Sequence, residues 1–144
     1  ASNQDITLDF IRRIALWKNN RVIKLKEGLL DELQKIQNKD NLKITDNEVK
    51  NILEELTASG GIGFPMASTI LKFIRPDVFP IIDVRAYRVL FGEKITYTQY
   101  DVGKYLEYAE KIQEIAKSQK IKFYEVDEQL YCFDKHHNKK QKIT

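Results

Sequence analysis

Cysteine, methionine and tryptophan occur once each in this chain of 144 residues, histidine twice and proline three times. The scarcities exclude whole classes of function. A single thiol, Cys132, cannot form an intramolecular disulfide framework, which fits a reducing, cytoplasmic setting. His136 and His137 are adjacent, and no other His or Cys stands at metal-ligand spacing from them, so no metal centre is expected. Both lie in a basic C-terminal run, which leaves no Ser–His nucleophilic pair to argue. No apolar run approaches the roughly 18 residues of a membrane span, and nothing reads as a signal peptide. A G-x-x-x-x-G-K-[ST] phosphate loop is missing too. Neither sign of charge dominates: 24 basic against 21 acidic residues leave a net charge of +3, which permits nucleic-acid binding without demanding it.

What is present is a globular composition, 42% hydrophobic and 31% charged, of a length suited to one domain with a sound core. Helical spacing dominates. Ile6, Phe10, Ile11, Ile14 and Ala15 share one face of a first helix closed by Trp17 and Lys18. Leu25, Leu29, Leu33 and Ile36 predict a second helix over residues 21–37, interrupted only by Gly28, before a polar loop at 38–43. Thr45-Asp46-Asn47-Glu48 reads as a capping box for a third, with Val49, Ile52, Leu53 and Leu56 inward. Ala67, Ile70, Leu71 and Ile74 mark a fourth, stopped by Arg75-Pro76, after which 77–82 is an apolar connection back to the core. Thr98 to Asp101 is a capped start for a long helix with Val102, Tyr105, Leu106, Ala109, Ile112 and Ala116 inward; Phe123, Val126, Leu130 and Phe133 mark the last. The tyrosines at helical spacing read first as core and only second as base platforms. The expected fold is all-α, about six or seven helices in one domain over 1–134. Residues 135–144 form a basic tail, either solvated and flexible or a phosphate-binding arm.

The stretch 59–92 departs from this regularity. It holds all three prolines, and Gly60, Gly61 and Gly63 fall within four residues between two helical patterns. Glycine permits positive φ or close backbone approach. Pro65 suits a first helical turn, where a missing N–H costs nothing. Such a turn is either a tight helix–helix connection or a hairpin whose amides converge on an anion at a helix N-terminus. Asp83, ahead of Val84-Arg85-Ala86-Tyr87-Arg88, is placed as an N-cap.

Gly61-Ile62-Gly63-Phe64-Pro65-Met66-Ala67 and Ile82-Asp83-Val84-Arg85-Ala86-Tyr87-Arg88 together resemble two motifs of the helix-hairpin-helix DNA glycosylase superfamily, that of endonuclease III. Asp83 follows Pro65 by 18 positions, the family's interval between its hairpin lysine position and its catalytic aspartate. The resemblance covers about residues 45–92. Segments 10–18 and 126–131 extend it to a compact bacterial branch over about residues 8–134. It implies a helical domain built around a helix-hairpin-helix, and DNA as partner. By the same resemblance Gly61, Ile62, Gly63 and Phe64 hold a backbone phosphate through their amides. Asp83 acts as the catalytic carboxylate, stabilising positive charge on the deoxyribose or orienting water. Lys18, Arg85 and Arg88 are then candidates for DNA contact, with Arg85 and Arg88 open between phosphate and pairing with acidic residues. Where bifunctional members carry a nucleophilic lysine this chain has Pro65, which excludes Schiff-base lyase chemistry there. Arg85 replaces the family's histidine, the cysteine cluster of an iron–sulfur centre is missing, and no cofactor is implied. A non-catalytic nucleic-acid-binding or protein-interaction module on the same fold is the alternative reading.

Overall fold

The computed structural model describes residues 6–19, 25, 27–59 and 62–137, with the side chains of 17–19 and 97 outside that description. The described residues form seven α-helices and no strand: α1 Leu8–Asn19, α2 Leu29–Asn38, α3 Asn47–Ala58, α4 Phe64–Ile74, α5 Val84–Phe91, α6 Val102–Gln119 and α7 Phe123–His137. A short 3₁₀ turn, Tyr97–Gln99, sits between α5 and α6. Among these residues no helix is long and apolar enough to cross a membrane.

α4 is the centre of the bundle. A helix that is hydrophobic on every side must be buried on every side. From Pro65 to Ile74 only Phe73 stands out in solvent. α1 and α3 pack on it, α2 packs on α3, and α7 covers both α5 and α6. The inward residues expected for α1, α3 and α4 are buried as the spacing predicted, apart from half-buried Phe10.

Four expectations are corrected. The second helix begins only at Leu29, because Gly28 has φ +84, a left-handed conformation that precedes the first turn instead of interrupting a helix; residues 20–24 and 26 lie outside the described residues. Thr45–Glu48 makes no capping box. Asp46 is the N-cap and its Oδ2 accepts from Lys43 N (3.0 Å), while Glu48 pairs with Lys39. The reciprocal box occurs instead at Thr96 and Gln99, ahead of the Asp101 cap on Lys104 N (2.7 Å) that opens α6. Phe133 is 53% exposed, and Asp134, next to it, is fully buried. Finally, α7 runs through His137, so Lys135, His136 and His137 are helical; residues 138–144 lie outside the described residues.

Candidate functional site

The two motifs meet through α4. At the glycine turn, α3 ends with Ser59, whose Oγ donates to Glu55 O (3.1 Å). Gly60 and Gly61 lie outside the described residues. Ile62 is buried and its N–H donates to Ser59 O (3.3 Å), so this amide, expected to face a ligand, is already engaged in closing the turn. The next amides differ. Those of Gly63, Phe64 and Met66 find no acceptor among the described residues, and the first bond into α4 is Ala67 N to Gly63 O (2.9 Å). Pro65, at the second helical position, has no N–H to leave bare. Phe64 is half-buried against Tyr100 and Tyr105, with ring centroids 6.3 and 6.5 Å away.

Gly63 itself is informative. Its backbone is extended, φ −96, where any residue is comfortable, and among the described residues an added Cβ would meet only Pro65 Cδ at 3.9 Å. Neither its conformation nor packing by the described residues calls for glycine there.

Asp83 ends a connection without helix or strand that runs through the core. Buried backbone outside regular structure needs partners for its amides and carbonyls, and side chains from three helices supply several of them here. Tyr105 and Tyr108 of α6 donate to Pro80 O and Ile81 O at 2.8 and 2.9 Å. Ile81 N donates to Asp127 Oδ2 of α7 (2.8 Å), and Ile82 N to Ser68 Oγ of α4 (3.0 Å). The half-buried Asp83 then caps α5, its Oδ1 accepting from Ala86 N at 2.8 Å. Burial pushes both tyrosine hydroxyls well above their usual pKa, and the Asp127 carboxylate adds to it.

Comparison with protein-family models, curated proteins and solved structures finds no match. The site therefore has to be judged on its own geometry.

The arginines beside Asp83 turn away from solvent. Arg88 donates to Asp134 through Nε (2.9 Å) and Nη2 (2.8 Å), and Arg85 Nη1 reaches the same carboxylate at 3.1 Å. Arg85 also lies over the Tyr131 ring, 5.7 Å from its centroid. Lys18 is in α1, with its side chain outside the described residues. Of the candidates, then, Gly63, Phe64 and Asp83 are tied together through Ser68, Tyr105 and the connection. Arg85 and Arg88 are already committed within the fold. A cleft of about 270 Å³ between Leu42, Ile44, Val78 and Glu110 involves none of them.

The residues that sequence reasoning missed are charged and buried. Lys72 donates to both oxygens of Asp127 (2.8 and 2.9 Å) and to Tyr124 O (2.8 Å). Arg75 caps the end of α2 by donating to Ile36 O and Lys39 O, and its other nitrogens grip Asp77. That pairing raises the Arg75 pKa and lowers that of Asp77. One signal was available: Phe123, Asp127, Leu130 and Asp134 fall on a single helical stripe, which puts both aspartates on the inward side.

Proposed function

We propose that the chain is a DNA-binding protein resembling the helix-hairpin-helix glycosylases, in which α3, the glycine turn and α4 form the hairpin element. The amides of Gly63 and Phe64, at the positive end of α4, take a backbone phosphate; such contacts position a duplex without reading its sequence. The observation that carries this reading is Gly63: a glycine exposed at a helix N-terminus, required neither by its φ nor by any neighbour among the described residues, and beside amides that find no acceptor among those residues. Close approach of an outside group is the remaining use for a missing Cβ.

Asp83 is the carboxylate for chemistry. Its anchorage through Ser68, Tyr105, Tyr108 and Asp127 gives it the rigid support that a catalytic group needs. A nucleotide turned out of the duplex beside it would lose its base as the N-glycosidic pair of electrons departs with the base. The carboxylate would stabilise the positive sugar until water adds to it and gives up a proton, which the departed base takes up. With Pro65 at the nucleophile position the reaction ends at the abasic site.

A non-catalytic DNA-binding module is the second reading. The withdrawal of Arg85 and Arg88 onto Asp134 favours it, since neither is left to neutralise a phosphate next to Asp83. Binding to a duplex with an abasic-site analogue, at two salt concentrations, tests the common part. Wild type should bind in a salt-sensitive way, and Gly63→Val should weaken binding at least several-fold with thermal stability kept. Equal binding by Gly63→Val removes the hairpin from the reading. Screening base release from damaged duplexes with Asp83→Asn alongside then separates enzyme from module.

A further inference from the structure

The cleft of about 270 Å³ lies apart from both candidate motifs. The loop before α3, the connection after α4 and one side of α6 build it, together with half-buried Phe123 of α7. Burial alternates along the loop: Leu42 and Ile44 turn inward, Lys43 and Thr45 stay exposed. The floor is therefore apolar, with Leu42, Ile44, Val78 and Ala109 all 8% exposed or less. Ala109 is the small member of the inward side of α6, among Tyr105, Tyr108 and Ile112, so the helix leaves room at that point. Arg75 fixes the walls to one another. It donates to Ile36 O and Lys39 O (2.9 and 2.7 Å), where the loop begins, and to both oxygens of Asp77 at 2.9 Å. A cleft held in this way is formed before anything enters it.

The rim carries opposite charges that stay apart. Lys43 and Glu110 both line the cleft and both are exposed, yet neither side chain enters an ion pair or hydrogen bond among the described residues. Asp77, the other acid of the lining, is already held by Arg75. A simple anion in this cleft would meet Glu110, a simple cation would meet Lys43, and an uncharged apolar molecule would use neither. A molecule with both charges at one end and an apolar body at the other meets each surface with its complement. Its carboxylate faces Lys43, its ammonium faces Glu110, and its body lies on the floor. Ordinary ligand pockets run from about 300 to 1,000 Å³, and this one falls just below them, which limits the body to a single ring or a branched chain.

We propose that this cleft binds a free α-amino acid with a large apolar side chain, at a site separate from the glycine hairpin and independent of any reaction at Asp83. The test is amide NMR of the full chain titrated with L-phenylalanine. In wild type the amides of Leu42, Ile44, Val78 and Glu110 shift in a saturable way, while those of Gly63 and Asp83 stay in place. Glycine, which has no body for the floor, moves none of them. 3-Phenylpropionate and phenethylamine each keep the ring and one charge, and each binds about two-fold to five-fold more weakly, the range for losing one ion pair at an exposed rim. Glu110→Gln removes the preference for L-phenylalanine over 3-phenylpropionate, and Lys43→Gln removes that over phenethylamine. Both residues are exposed, so these variants fold as wild type does. Ala109→Leu fills the floor and abolishes binding. The proposal is overturned if wild type gives no saturable shift up to the solubility limit of L-phenylalanine. It is equally overturned if either single-charge analogue binds as tightly as the amino acid, or if Glu110→Gln and Lys43→Gln leave the preferences unchanged.

Discussion

The α3–α4 contact and the docking of α7 solve the same packing problem with opposite materials. Between α3 and α4 the inward side chains are aliphatic: Val49, Ile52, Leu53 and Leu56 against Met66, Ile70, Leu71 and Ile74. On α7 the inward stripe carries two carboxylates, and these take donors from Lys72, Ile81 N, Arg85 and Arg88. Aliphatic packing is non-directional and its loss is graded. A buried charge network tolerates the loss of a member badly, because whichever partner remains is still buried. The polar region also holds the backbone in front of Asp83, so the part of the fold that supports the candidate site is the part least able to relax.

The largest effect should come from pH. Tyr105 and Tyr108 have pKa values raised well above the usual phenol range by burial, followed by the influence of Asp127. A raised folded-state value means their contribution is whole below about pH 10 and is lost as pH rises past it. Their ionisation should therefore appear in tyrosinate absorbance only together with loss of helical circular dichroism. Ionisation with the helices intact would show that the polar region opens by itself. Next, Asp134→Ala should cost about 3–5 kcal/mol in denaturant unfolding, since it leaves Arg85 and Arg88 without their shared counter-charge. A cost below about 1 kcal/mol would dissolve the contrast between the regions.

Replacing the whole Lys72–Asp127 pair, as Lys72→Met with Asp127→Leu, sharpens the comparison. Apolar substitutes for buried ion pairs are often neutral or stabilising, but here Ile81 N would lose its acceptor. A residual cost of about 1–3 kcal/mol is expected, that of one unmet buried donor. In the aliphatic region Ile52→Val should cost only about 0.5–1.5 kcal/mol. The smallest effect belongs to Gly63→Ala, within about 0.5 kcal/mol of wild type, because φ −96 and a 3.9 Å neighbour accept a methyl group.

The aliphatic half was legible in the sequence and the polar half was not. The spacing of Val49, Ile52, Leu53 and Leu56 announces a buried face by itself, and Asp83 and Asp101 announce helix starts through residue type and position. Asp127 and Asp134 carry no such local mark. A carboxylate in a helical pattern is ordinarily solvent-facing, and their partners stand 46 to 55 residues away in the chain. That is why Phe133 was expected inward in place of Asp134, and why Arg85 and Arg88 stood open between an acidic partner and phosphate until Asp134 was seen to hold both. Gly28 misled for a different reason: glycine marks a break without saying on which side of it the helix lies.

Ile81 and Ile82 are adjacent, yet their amides answer to different helices: Ile81 N to Asp127 on α7, Ile82 N to Ser68 in the central helix. Hydrogen exchange should therefore distinguish these neighbours. An undocking of α7 would expose the Ile81 proton to solvent while that of Ile82 stayed protected until α4 itself gave way. The step in front of Asp83 thus divides the connection between two supports, the last helix holding one peptide and the central helix the next.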